Sequence, residues 1–529
     1  MPSLSSLSIP VCFLLLLSVA AAPPQVPLNS NNPSGPNVEN ARANAPQIFN
    51  ALHSSMRQWG SSLAHNGMSL FRATIPANTH LYHGTHIPDP VTGMEWLAFE
   101  IEHAEVFARS RGPGGRRPPG GGPGGRPPGE GDRDRGGRPP PPMGRDREPE
   151  SIAPRHDGPN VYAEGHGYLH EYRAIRTLDK LLYLDGMSAG KTSVGTLDTQ
   201  DFLLRNDTSS SAPWGDYERA KTMCELGAEW GIEGIVRMEA GFELIFCNFT
   251  DGMELVSATR RPEVDMPEGY NDLGQFEYMR GIAQRYQGIT AGRVEVDYSS
   301  MVSAFFYSIN LTNPDPTRAE LPRLASSEPS DLKNIKSDLK AVFSQPTAER
   351  KERIDWQGVV DMVVTRYSDR LQFMASNTTT QKSILSEINF LLNVYTNYSS
   401  PTPNIPEAIE KCTNHYLNPV TPQTDSDHLI HAAVSTVSHK ICKTLFDVRE
   451  ELLAGEAAEW NTYEHAKSSI GKLIGYLGWS TWLECGKCAY DEVCFVAIWP
   501  WGNVEDHKHP GCVKNDDVWD RRGYWDFGH

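Results

Sequence analysis

The stretch Phe71-Arg72-Ala73-Thr74-Ile75-Pro76-Ala77-Asn78-Thr79-His80-Leu81-Tyr82-His83-Gly84-Thr85 decides the fold class. Its aromatic and β-branched residues make Met68 to Thr85 strand-like. Upstream, Ile48, Phe49, Leu52, Met56, Trp59 and Leu63 recur at helical spacing, so a helix leads into these strands. Downstream come Glu95-Trp96-Leu97-Ala98-Phe99 and a helical run from Glu102 to Arg109. Tyr168 to Ile175 and Leu181 to Leu184 then read as two further strands. Residues 45–310 are therefore expected to form an α+β domain, preceded by a flexible segment over residues 22–44.

Farther out the period changes. Tyr217 to Glu229 suggests a helix, Gly234 to Cys247 alternates as strands, and Phe276 to Tyr286 suggests another helix. Beyond Leu332 three apolar stripes follow: Trp356/Val359/Val360/Val363/Tyr367/Leu371/Met374, then Ile384/Leu385/Ile388/Leu391/Leu392/Tyr395, then Leu429/Ala433/Val437/Ile441/Leu445/Val448/Leu452. A fourth helix is expected near Ala457 to Leu477. Residues 311–478 thus predict a mainly helical C-terminal domain, and 479–529 a Cys/Trp-rich tail acting as a small stapled cap. Between Arg111 and Gly144, 23 of 34 residues are Gly or Pro and the side chains are almost devoid of apolar groups. Such a segment cannot offset its ordering entropy, so residues 110–155 are expected to be a disordered insertion in the first domain.

The chain begins with an apolar run, Ile9 to Val19, ending in Ala20-Ala21-Ala22, and residues 1–21 read as a secretory signal. Five sequons agree with export: Asn206, Asn248, Asn310, Asn377 and Asn397 each precede Ser or Thr by two residues with no intervening Pro. Eight cysteines lie beyond the signal: Cys224, Cys247, Cys412, Cys442, Cys485, Cys488, Cys494 and Cys512. In an oxidising compartment they favour four disulfides over a zinc–thiolate site. Spacing suggests Cys224 with Cys247, Cys412 with Cys442, and two bridges within the tail. The net charge of −17 argues against nucleic acid as a partner, and no membrane anchor is expected.

The Tyr82-His83-Gly84-Thr85 run after a strand resembles the first motif of the ADP-ribosyltransferase superfamily, in the branch of diphtheria-like toxins and poly-ADP-ribose polymerases. The resemblance implies that His83 would bond the adenosine-side ribose of NAD and that the Gly84 backbone would hold the nicotinamide amide. It also implies a ring stacked on nicotinamide, for which Trp96, Phe99 or Phe107 stand available, and a late glutamate, for which Glu171 or Glu225 are candidates. The family's pair of tyrosines ten residues apart is missing. Taken whole, the chain also resembles a family of uncharacterised secreted fungal proteins, which implies a fungal origin and no activity.

A second motif is Leu181-Leu182-Tyr183-Leu184-Asp185-Gly186-Met187-Ser188-Ala189-Gly190-Lys191-Thr192. As Gly-x-Ser-x-Gly after a strand it fits a nucleophile elbow, with Ser188 as nucleophile of a serine hydrolase, although the amphipathic helix that should follow is absent. As a phosphate loop it ends correctly in Gly190-Lys191-Thr192 but has Asp185 where the first glycine belongs. No metal site emerges from spacing: His170-Glu171 is followed by Ala174 where a second histidine would be needed. No catalytic set is complete. The favoured reading is therefore a secreted N-glycoprotein acting as an extracellular or wall-associated interaction protein, with an NAD-dependent transferase and a serine hydrolase as alternatives.

Overall fold

The computed structural model describes residues 35–108, 166–206, 215–262, 275–283, 288, 291–345, 353–399, 401–454, 459–518 and 521–525. Residues 1–21, read as a secretory signal, and the Gly/Pro/Arg insertion expected over residues 110–155 lie outside the described residues. Within the segment expected to be flexible, Asn37 accepts a hydrogen bond from the Asn40 N–H and starts a short helix, α1 (Val38–Ala43), whose Ala41 is buried. The single helix expected over residues 48–63 is two, α2 (Ala45–Ser54) and α3 (Gln58–Leu63). They break where Met56 takes a positive φ of 53°.

The strand-like run divides at Pro76 into β1 (Ser69–Ile75) and β2 (His80–Thr85), which do not pair with each other. After β3 (Glu95–Ala98) and α4 (Ile101–Glu105) come β4 (Tyr168–Ala174) and β5 (Leu178–Leu184). They are followed by α5 (Asp216–Trp230), β6 (Gly234–Met238), β7 (Phe242–Phe246), β8 (Met253–Arg260), α6 (Gln275–Ala283) and β9 (Glu295–Ser303). All nine strands join one sheet in the order β8-β4-β2-β3-β7-β6-β5-β1-β9. Only β5 and β6 run parallel; every other pair is antiparallel. The central β6 and β7 are buried at every residue, as expected of strands covered on both faces. The edge strand β8 is instead mostly exposed and carries Glu254 paired with Arg173, charges that discourage edge-to-edge association.

One junction in the sheet is thin. Between β2 and β3 a single residue pair is in register, Tyr82 opposite Ala98. The block β8-β4-β2 is thus nearly split from the remaining six strands.

The helical layer comprises α7 (Pro329–Ser344), α8 (Trp356–Ala375), α9 (Gln381–Leu392), α10 (Ile405–Asn414), α11 (Asp425–Ala454) and α12 (Glu459–Leu477). The three predicted stripes face inward: Trp356, Val360, Leu371, Ile384, Ile388, Ala433, Val437 and Ile441 are all fully or almost fully buried. The two halves share one hydrophobic core. Asp427 of α11 accepts from Ser299 of β9 at 2.6 Å and from the Trp356 indole of α8 at 2.8 Å. The Arg57 guanidinium donates to Asp361 of α8 at 2.9 Å. The architecture matches the expected class: a mixed α+β N-terminal part, a helical C-terminal part and a disulfide-bearing tail. Bridges join Cys224–Cys247, Cys412–Cys442, Cys485–Cys494 and Cys488–Cys512. The last two staple the hairpin formed by β10 (Glu492–Phe495) and β11 (Gly511–Lys514). Among the described residues no helix is long and apolar enough to cross a membrane.

Candidate functional site

At the thin junction the His83 ring reaches across from β2, and its Nδ1 lies 2.8 Å from the Trp96 carbonyl of β3. A carbonyl only accepts, so Nδ1 carries the proton. Burial, with nearby His170 adding to it, pushes the imidazole down to about 4. The ring is therefore neutral, leaving Nε2 as an acceptor. Beside it Gly84 has no side chain for a steric reason: a Cβ there would come within 2.1 Å of the Ala104 carbonyl and 2.7 Å of the Ala108 nitrogen. The end of α4 and the turn after it thus lie directly on the Gly84 backbone.

A cavity of about 20 Å³ opens here, lined by His83, Gly84, Trp96, His103, Phe107 and Glu243 among others. It brings together four of the residues singled out in the sequence, His83, Gly84, Trp96 and Phe107. Phe99 is buried next to this lining but is not part of it; its carbonyl accepts from Arg293 at 2.8 Å. Neither proposed late acid arrives. Glu171 pairs with His80 at 2.7 Å, and Glu225 is exposed on α5. The carboxylate in the lining is Glu243, which the sequence reading did not single out.

Glu243 belongs to a buried charge network built by the β6–β7 hairpin. Arg237 and Glu243 stand opposite each other in register, and Glu239 lies in the connecting turn. Arg237 donates from Nε to Glu243 Oε1 at 2.8 Å, from one terminal nitrogen to Asp216 at 2.8 Å, and from the other to Gln200 at 2.8 Å. Lys191 donates to Glu239 Oε1 at 2.7 Å and lies 3.6 Å from Asp216. The Trp499 ring of the tail covers the same ammonium at 4.9 Å. Burial opposes ionisation of Asp216, but Arg237, Lys191 and Arg219 outweigh it and hold this carboxyl well below the usual range. Burial likewise opposes ionisation of Glu243, yet Arg237 and His103 hold it low, whereas burial raises Glu239 despite Lys191. His103 is disfavoured as a cation by burial, but Glu243 and Glu239 more than reverse this and raise it.

The second sequence motif thus contributes Lys191, in a role other than phosphate binding. Ser188 is 1 % exposed, and its hydroxyl donates to the Leu184 carbonyl at 3.2 Å within the turn that follows β5. Gly186, at φ +67°, makes that turn possible: a Cβ would meet the Gly67 nitrogen at 2.5 Å. The Arg237, Glu239 and Glu243 cluster carried one readable signal, charges set inside an otherwise apolar strand run; charged groups are rarely fully buried unless paired.

Residues 38–268 match the family model described as the YPL277C N-terminal domain, and residues 355–454 match that of the YPL277C C-terminal domain. Among curated proteins, "Uncharacterized protein YOR389W" of Saccharomyces cerevisiae is 28% identical over 88% of this chain and 84% of its own length. "Uncharacterized protein YPL277C" of the same yeast is 35% identical over 40% of this chain and 42% of its own. No solved structure matches the chain. The first matched domain contains every residue of the cavity and its charge network except the tail's Trp499, and the second lies in the helical layer. The chain thus carries matches to both domain models in that order and is similar over most of its length to an uncharacterised yeast protein.

Proposed function

We propose that the protein is an exported N-glycoprotein that works through the cavity at the β2–β3 junction of its N-terminal half. The observation that carries export is surface placement: all five sequon asparagines, Asn206, Asn248, Asn310, Asn377 and Asn397, are exposed. The four disulfides fit the same oxidising route. Expressed through a secretory host, the chain should lose mass in steps on endoglycosidase treatment, and each Asn→Gln exchange should remove one step. The denatured, unreduced protein should show no titratable thiol. Retention inside the cell with reactive cysteines and a mobility unchanged by the glycosidase would refute export.

One observation favours a specific ligand class as a second reading. The nearly divided sheet, with His83 on one side and Glu243 across the gap, is the arrangement that the ADP-ribosyltransferase resemblance requires. The cavity as it stands does not fit NAD: 20 Å³ has room for little more than a water molecule, against the hundreds of Å³ typical of ligand pockets. Binding would require α4 to leave the Gly84 backbone. Calorimetry with NAD at millimolar concentration tests this reading. His83→Ala should weaken any binding by about 1–3 kcal/mol through the lost hydrogen bond. An absence of heat with the wild-type chain would remove the transferase and leave the cavity to another ligand.

A further inference from the structure

We propose that His103, Glu239 and Glu243 form a binding site for one divalent transition-metal ion, a proposal independent of both the export and the NAD readings. Each of the three side chains is buried, and each places one ligand atom within 4.8 Å of the other two. The arrangement of the partners leaves the inward-facing atoms uncommitted. Glu239 uses Oε1 on Lys191, and its Oε2 has no hydrogen-bond partner among the described residues. Glu243 uses Oε1 on Arg237, and its Oε2 lies 3.7 Å from His103 Nε2. His103 Nε2 likewise makes no hydrogen bond among the described residues, at a side-chain exposure of 3%. Buried polar atoms without partners are uncommon, and two of them here converge with a carboxylate.

The surroundings of the histidine fit ligation. His103 Nδ1 lies 2.9 Å from the Tyr278 hydroxyl, the kind of outer contact that fixes a tautomer and presents the other nitrogen as a lone pair. Gly241 supplies the floor: a Cβ there would come within 2.8 Å of His103 Cγ, so only glycine lets the ring lie over the β6–β7 turn. Each glutamate already holds one cation through its Oε1, Lys191 or Arg237, and keeps a second carboxylate oxygen that could be offered to a divalent ion. One imidazole with two carboxylates suits manganese, iron or zinc better than a soft ion such as Cu(I). The adjoining cavity would supply open coordination positions.

The experiment uses the full chain with its disulfides intact, stripped with chelator and titrated separately with Mn²⁺, Zn²⁺ and Co²⁺ by calorimetry, with bound metal counted by elemental analysis. The expected result is one ion per chain, with Co²⁺ giving ligand-field bands and no thiolate charge-transfer absorption. His103→Ala and Glu239→Gln should each weaken binding by at least about tenfold, and Tyr278→Phe by about 10–100-fold. Tyr278→Phe keeps the aromatic packing, so it preserves the test if the other variants do not fold. Absence of a stoichiometric ion in the wild-type chain would overturn the proposal, as would affinity unmoved by Tyr278→Phe, and His103 would then be an imidazolium held by the two glutamates. Thiolate absorption with Co²⁺ would place the ion at the tail cysteines and overturn it equally.

Discussion

Arg237→Met should cost about 3–5 kcal/mol of stability, read as a large drop in the urea midpoint at unchanged slope. Arg237 is fully buried and neutralises two carboxylates, Asp216 and Glu243, while also donating to Gln200. Methionine fills much of the volume but leaves both acids facing a low-dielectric interior with only Lys191, Arg219 and His103 to share. The penalty comes from the stranded charges rather than from the lost contacts. Adding Asp216→Asn and Glu243→Gln should therefore restore a good part of the loss, because removing all members of a buried ionic set is far cheaper than removing one. A midpoint shift equivalent to less than about 1 kcal/mol would mean that water reaches the network, contrary to the closed cluster described above.

The second large effect concerns pH. Glu95 on β3 is 1 % exposed, and neither carboxylate oxygen has a hydrogen-bond partner among the described residues. Burial raises its carboxyl from 4.5 to about 8. A group raised on folding contributes full stability below its unfolded value and loses it as the pH climbs toward the folded value. Wild type should therefore weaken relative to Glu95→Gln between pH 4.5 and about 8, by about 1.4 kcal/mol per pH unit, with the two equal near pH 4.5. The difference between the two curves is the diagnostic quantity. Buried His83 and half-buried His507, each lowered to about 4 with desolvation as the first cause, tilt the absolute curve the opposite way below 6.5. Parallel stability curves for wild type and variant from pH 5 to 8 would show that Glu95 is not held protonated.

Long periodic elements were legible in the sequence because burial writes itself as a repeat. The stripes through Trp356 and Leu429 appear as α8 and α11, and the alternation from Gly234 appears as β6 and β7. The bridges Cys224–Cys247 and Cys412–Cys442 follow from short spacing. Strands β8 and β9 were not read. Most of β8 lies exposed at a sheet edge and carries little apolar pattern, while β9 is polar at its start and serine-rich. The run from Met68 to Thr85 looks continuous, yet β1 and β2 sit far apart in the strand order, since strand pairing is a long-range choice that local propensity does not encode. The site was half legible for a related reason. His83 and Gly84 share one strand, and Trp96 lies close behind them. Lys191, Asp216, Glu239, Glu243 and His103, in contrast, come from five elements or turns and converge only through the sheet.

The roof over Lys191 has a consequence for the order of events during synthesis. Trp499, which covers that ammonium, and Trp525, whose ring lies 5.0 Å from His65, leave the ribosome some 250 residues or more after Arg237 and Glu243. At about 5–20 residues per second, the hairpin bearing Arg237 and Glu243 would wait some tens of seconds for its cover. During that interval the nascent N-terminal half presents an incompletely roofed ionic cluster, and the final shielding coincides with closure of Cys485–Cys494 and Cys488–Cys512. Nonsense mutations late in the coding sequence, which would spare every strand of the large sheet, should therefore be as damaging as early missense changes in its centre.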